Sequence, residues 1–234
     1  MSNLTSQQWL AMVRRYPAWL LFVVCLLIFT IWPELDLIVS RWFYDPLKEE
    51  WIWRDHPLNR SLYAIFRYLP YWLVPLLLTM TAIAWWKDSR IRSRRFVWTF
   101  LLSTLLIGPG ILVHNVFKEG FERPRPKQIQ EFGGRSGFTP AWVISDQCAR
   151  KCKSFVSGHS AMGFYLMVFA WVFRRRAWLW AGIGLGTVVS LVRISQGGHF
   201  LSDTVFAGLV CYFVYQLLAF WLLGSSRIVE EPER

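Results

Sequence analysis

The chain has 234 residues, 54% of them hydrophobic and 18% aromatic, with 15 tryptophans. A positive mean hydropathy and this aromatic load argue against a soluble globule and for a multispan membrane protein. The formal net charge of +11 then belongs at cytoplasmic helix ends and wherever phosphate is handled, not with nucleic acid.

A helix needs roughly 20 mostly apolar residues to cross a bilayer. The first charge-free run is Tyr16–Pro33. It is long and no small-residue cleavage site follows, so it reads as a span, not a cleavable signal. The connection Glu34–Arg67 has balanced charge and an aromatic fringe of Trp42, Phe43, Tyr44, Trp51 and Trp53. Such a segment suits the membrane interface. Tyr68–Trp86 and Phe96–Phe117 are the second and third spans. Pro70, Pro75 and the Gly108–Gly110 stretch GPG are expected to kink them. The shorter runs Ala161–Phe173 and Ala177–Val192 read as spans whose outer ends dip into a polar site, and Thr204–Leu223 closes the series. The expected fold is all-α: an integral membrane bundle of about six transmembrane helices, with both termini on one side. It is read as one domain over residues 1–234, with a motif-bearing core over 96–223 and no internal repeat.

Orientation follows from basic residues. Arg14 and Arg15, the run Lys87–Arg95 with one acid at Asp88, and Arg174–Arg176 fall on one side, which is read as cytoplasmic. The opposite face carries an unexpected excess. Lys118, Arg123, Arg125, Lys127, Arg135, Arg150, Lys151 and Lys153 stand against Glu119, Glu122, Glu131 and Asp146. An anionic substrate would account for it. The stretch from Phe132 to Lys153 is expected to cap the site. Arg150, Lys151 and Lys153 either meet a second phosphate or acidic sugar, or are solvated. Cys25 and Cys211 read as small hydrophobes. Cys148 and Cys152 are expected to be bridged, because their loop would face an oxidising periplasm.

Three polar clusters break the apolar pattern at outer helix ends: KEGFERPRP at Lys118–Pro126, SFVSGHS at Ser154–Ser160, and RISQGGHFLSD at Arg193–Asp203. Ionisable groups at membrane depth are costly and mark function by default. His199 and Asp203 are four apart, one helical turn on one face. A carboxylate there would fix the imidazole tautomer and leave the other nitrogen nucleophilic. His159 is a second imidazole at a helix start, where the N–H groups around Ser157, Gly158 and His159 suit an oxyanion. Lys118, Arg125 and Arg193 add positive charge, the arginines with forks that match phosphate. His114 lies one turn before Lys118. It is read as a helix-packing histidine, with recruitment as a further acid the alternative. No metal is expected, because the imidazoles lack clustered carboxylates and the cations would repel one.

The ordered set Lys118-x6-Arg125-Pro126, then Ser157-Gly158-His159, then Arg193-x5-His199-x3-Asp203 resembles the type 2 phosphatidic acid phosphatase family, whose fold core is shared with vanadium haloperoxidases. Two positions depart from the family pattern: Val156 stands where Pro is usual, and Val192 where Ser is usual. The resemblance implies a cofactor-free lipid phosphatase of the bacterial inner membrane, with a periplasmic active site. In it His199 attacks phosphorus, Asp203 holds the His199 ring, and His159 serves as acid and then base. Lys118, Arg125, Arg193, Ser157 and Gly158 would hold the phosphate. Lipid A, undecaprenyl pyrophosphate, phosphatidylglycerophosphate and phosphatidic acid are the substrates considered, and the chain looks most similar to the lipid A phosphatase branch. Beyond the bilayer and the lipid phosphate, no nucleic acid and no obligate protein partner is implied. Alternatives that keep the anion site are a lipid phosphotransferase, a non-catalytic lipid-phosphate carrier, and a haloperoxidase holding vanadate.

Overall fold

The computed structural model describes residues 17–86, 91–147 and 152–228. Its first helix, α1 (Pro17–Ile31), opens on a proline, whose fixed φ suits the first helical turn. Pro33 ends that run, and α2 (Leu35–Arg41) leaves at 82°. The bend carries Asp36, in the first turn of α2, into the protein interior. A short antiparallel hairpin follows, β1 (Tyr44–Asp45) and β2 (Glu50–Trp51), with Tyr44 opposite Trp51.

Helix α3 (Pro57–Trp85) begins eleven residues before the apolar run that announced it. Pro57 supplies a start signal, and Arg60 and Arg67 lengthen the helix without being apolar. The helix is continuous across Pro70 and Pro75. The third span is α4 (Arg95–Leu105), which widens into a π-helical stretch over Leu106–Phe117 and closes with the single turn α5 (Lys118–Phe121). The expected GPG kink is therefore a wide turn. Pro109 lacks an N–H and crowds the carbonyl four residues back, and a longer hydrogen-bonded ring relieves both faults. Glu122 (φ 48°) then reverses the chain into the extended RPRP segment.

Helix α6 (Gly158–Phe164) continues through a 3₁₀ turn into α7 (Phe169–Phe173), and packs on α8 (Arg176–Ser195). The approach is close because Gly186 lies under the Phe164 ring and Gly182 under Met167, leaving no room for a Cβ at either. Small residues let membrane helices meet in this way. Helix α9 (Leu201–Leu223) ends at Gly224, whose left-handed φ of 75° is the usual helix stop.

Among the described residues, four stretches are long and apolar enough to span: Pro57–Trp85, Arg92–Gln128, Arg176–Ser195 and Leu201–Leu223. The bent pair α1–α2 adds a fifth, and Gly158–Phe173 is a shorter apolar helix. All six predicted runs are thus helical, and the class is all-α. Leu21, Leu27, Tyr71, Trp72 and Leu78 on α1 and α3 are exposed, as on lipid-facing helices, while Phe100, Phe155, Trp171, Phe206 and Tyr215 fill the core. A second, outer cluster of Leu37, Trp51, Ile129, Phe132 and Phe200 ties the hairpin and the long connection to the start of α9. At the other end, the Trp171 indole and the Arg174 guanidinium donate to the Ser226 and Arg227 carbonyls. The Arg174–Arg176 turn and the C-terminal segment therefore share one end. Cys152 is disulfide-bonded, and Cys25 and Cys211 are free thiols. Cys148, Arg150 and Lys151 lie outside the described residues, and Lys153 pairs with Glu119 at the surface.

Candidate active site

The three polar clusters meet where α5, α6, α8 and α9 come together. His199 sits in the loop Gln196–Phe200 and is 1% exposed. Its Nδ1 lies 2.8 Å from the Ser154 carbonyl oxygen. A carbonyl only accepts, so Nδ1 carries the hydrogen and Nε2 keeps its lone pair. Asp203 Oδ2 is farther from Nδ1, at 3.5 Å. The nearer ring-holder is thus a backbone oxygen that the four-residue spacing gave no hint of. Asp203 still acts on that oxygen's residue, because its Oδ2 accepts from Ser154 Oγ at 2.5 Å and from the Phe200 N–H at 2.9 Å. Burial first, then the charges of Arg193 and Arg125, push the His199 imidazole down to about 3, against the opposing pull of Asp203. The ring is therefore neutral across the physiological range.

Asp203 is held in turn by Arg123, which is fully buried. Arg123 Nη1 donates to Asp203 Oδ1 at 2.6 Å and to Ser202 Oγ at 2.8 Å. Its Nη2 donates to Asp36 Oδ2 at 2.8 Å, and its Nε donates to the Thr139 carbonyl at 2.8 Å. The guanidinium also lies 4.3 Å over the Phe200 ring. Asp36 accepts from the Ser202 N–H and hydroxyl. This two-carboxylate clamp was missed at the sequence level. The signal was present in ERPRP: in an extended segment of about three residues per turn, arginines two apart point in different directions. Arg123 turns to the acids, and Arg125 to the cationic cluster.

That cluster is made of Lys118, Arg125 and Arg193, which are electrostatic neighbours. Lys118 is 8% and Arg193 6% exposed. Arg193 Nη1 donates to Gln196 Oε1 at 2.6 Å, and its Nε is buried with no hydrogen-bond partner among the described residues. Gly198 makes room for this guanidinium, since a Cβ there would meet Arg193 Cζ at 2.8 Å. The Tyr63 ring of α3 carries Arg193 at 4.7 Å and stacks on the His159 imidazole at 4.6 Å and 14°. His159 Nε2 is buried and has no hydrogen-bond partner among the described residues. Tyr63, too, was missed; nothing in a lipid-facing helix singles out one tyrosine.

Ser157 caps α6. Its Oγ accepts from the Ser160 N–H at 3.3 Å and from the Ser160 hydroxyl at 2.9 Å, and its N–H donates to the Asp203 carbonyl. The hydroxyl therefore does helix work, and what Ser157 offers an anion is the helix start it secures. A Cβ on Gly158 would lie 2.9 Å from Lys118 Nζ and 3.0 Å from His114 Nε2, so this glycine borders the cationic cluster directly. Val156 is fully buried in the core. Near Val192, the Ser195 hydroxyl accepts from Asn59 Nδ2 at 3.0 Å and donates to the Val192 carbonyl.

Chemically, the arrangement is an unprotonated imidazole with one free lone pair, beside three cations and a second imidazole, with Arg193 Nε a buried donor left unpaired among the described residues. Among the described residues, no three His, Cys, Asp or Glu side chains are grouped to hold a metal.

The PAP2 superfamily model matches residues 96–226. Three relatives share the printed name Lipid A 4′-phosphatase. That of Francisella tularensis subsp. novicida is 34% identical over 222 residues, covering 88% of this chain and 97% of the relative. That of Rhizobium leguminosarum is 38% identical over 50% of this chain and 51% of its own, and that of Rhizobium etli 28% identical over 93% and 94%. No solved structure gives a significant match.

Proposed function

Since the chain belongs to the PAP2 superfamily, we propose that this membrane lipid phosphatase removes phosphate from lipid A through a phosphohistidine on His199. The observation that carries the reading is the fixed tautomer of His199: its Nδ1–H is committed to the Ser154 carbonyl, so the Nε2 lone pair is free for phosphorus.

His199 Nε2 attacks phosphorus and the P–O bond to the lipid breaks. The departing oxygen takes a proton from His159, whose charged form the bound phosphate favours. His159 then removes a proton from water, which attacks phosphorus; the P–N bond breaks and orthophosphate leaves. Lys118, Arg125 and Arg193, with the N–H groups at the start of α6, neutralise the charge on the equatorial oxygens. Metal-independent action is part of the proposal, because the resident cations oppose a metal ion at the same place. The matched names support lipid A and its 4′-phosphate as the substrate. Basic turns at the opposite end support an inner-membrane chain with its site on the periplasmic side.

The test is phosphate release from a panel of purified lipid phosphates in detergent, comparing the parent with His199→Ala. Release from lipid A that the variant loses, with ³²P trapped on the parent after acid-free quenching, is the expected result. Cleavage of no lipid phosphate by the parent sinks the reading.

A further inference from the structure

We propose that His114, outside the motif set, is a phosphate-contacting residue whose Nε2–H donates to the anion held by Lys118 at the edge of Gly158. The inference deepens the phosphatase reading and rests on it for the identity of the anion.

Three observations meet on this side chain. First, His114 is no packing histidine: it is exposed, on the same π-helical stretch as the exposed Ile111 and Val116. An imidazole on an apolar, lipid-facing helix is costly unless it serves a ligand or a polar partner, and π-helical turns recur at functional sites. Second, its Nδ1 lies 3.4 Å from Lys118 Nζ. An ammonium has donors and no acceptor, so Nδ1 accepts and the ring hydrogen sits on Nε2. Third, that Nε2 and Lys118 Nζ both border Gly158, 3.0 and 2.9 Å from the point a Cβ there would occupy. An anion resting against the backbone of Gly158 and on the Lys118 ammonium therefore has the His114 Nε2–H beside it. The neutral donor adds a directed hydrogen bond beside Lys118, whose ammonium acts as a point charge.

Two roles are thereby separated on one helix. Lys118 brings charge; His114 aims a hydrogen bond and, through Nδ1, holds the lysine toward the glycine. The third imidazole of the site takes no part in proton transfer: His159 remains the acid.

The experiment is calorimetric titration of orthovanadate and inorganic phosphate into the full-length protein in detergent, for the parent, His114→Phe and His114→Gln. A hydrogen bond to a charged group implies ~10- to 100-fold weaker binding when it is lost. His114→Phe keeps the ring volume without the donor and is expected to bind both anions at least ~10-fold more weakly. His114→Gln keeps a donor and an acceptor and is expected within a few fold of the parent. Melting temperatures should match throughout, because the side chain is exposed. Equal affinity of His114→Phe and parent overturns the inference, as does equal weakening of both variants. Turnover is scored separately. A parent that binds vanadate but cleaves no lipid phosphate refutes the phosphatase reading and leaves this contact standing. A parent that cleaves lipid phosphate but binds neither anion overturns this contact and leaves the phosphatase reading standing.

Discussion

Replacing Arg123 by Ala tests whether the buried clamp organises the site. The guanidinium is 1% exposed and joins Asp36 and Asp203, themselves 1% and 0% exposed. It donates four hydrogen bonds, three of them to side chains of α2 and α9. Removing one partner of a single buried pair costs about 3–5 kcal/mol, because the other charge is left buried and unpaired. Here one deletion leaves two carboxylates without their cation, so about 4 kcal/mol is the lower part of the expected range. In a chain of this length each kcal/mol lowers the melting temperature by about 2–4 °C. The expected drop is about 10 °C or more, and phosphate release should fall with it as Asp203 loses its fixed geometry. Arg123→Lys keeps a charge but not the fork, and should lie between. Asp36→Asn leaves the Arg123–Asp203 bond intact and should cost less than Arg123→Ala. The assay is tryptophan fluorescence melting in detergent together with orthophosphate release. An Arg123→Ala protein that melts within 2 °C of the parent (a shift of less than about 1 kcal/mol) and keeps full turnover would show that the clamp is dispensable.

Three further outcomes are expected. Tyr63→Leu removes the ring that stacks on His159 and carries Arg193; phosphate release should fall about 10-fold, consistent with losing part of an acid–base contribution, while Tyr63→Phe keeps it, and equal loss in both would point to the hydroxyl instead. Gly198→Ala places a methyl against the Arg193 guanidinium; KM for the lipid and the affinity for vanadate should worsen together, and unchanged vanadate binding would contradict the placement. His199, held down to about 3 in the folded chain against an ordinary value near 6.5, stays neutral while the unfolded ring protonates. Stability is therefore lost as pH falls from about 6.5 toward 3, by up to ~1.4 kcal/mol per unit; ring ¹³C shifts should show His199 unprotonated at pH 5, and titration near 6.5 would refute its enclosure.

The candidate site was legible where chemistry is tied to spacing along the chain. Lys118, Arg125, Ser157, Gly158, His159, Arg193, His199 and Asp203 stood out because charged and imidazole groups at the ends of apolar runs have few other reasons to be there. The residues that were not legible act through space. Ser154 offers a backbone oxygen, which every residue possesses. Asp36 looked like one acid in a balanced interfacial loop until the 82° bend between α1 and α2 brought it inside. Tyr63 was one aromatic among many. His114 was visible at its spacing from Lys118, but only its exposure and its place beside Gly158 separate a ligand contact from a packing histidine.

By itself, the sequence determined the class, the six apolar helices and the ends that carry charge. These follow from the length of apolar runs and from the cost of placing ions in hydrocarbon. Tertiary structure decided which of two neighbouring arginines is buried between carboxylates, which atom holds the His199 ring, and how the proline at the centre of the third span is absorbed. Each depends on distances between segments far apart in the chain. The Asp36–Arg123 bond spans 87 positions and the Arg123–Asp203 bond 80, and no local pattern encodes such a meeting.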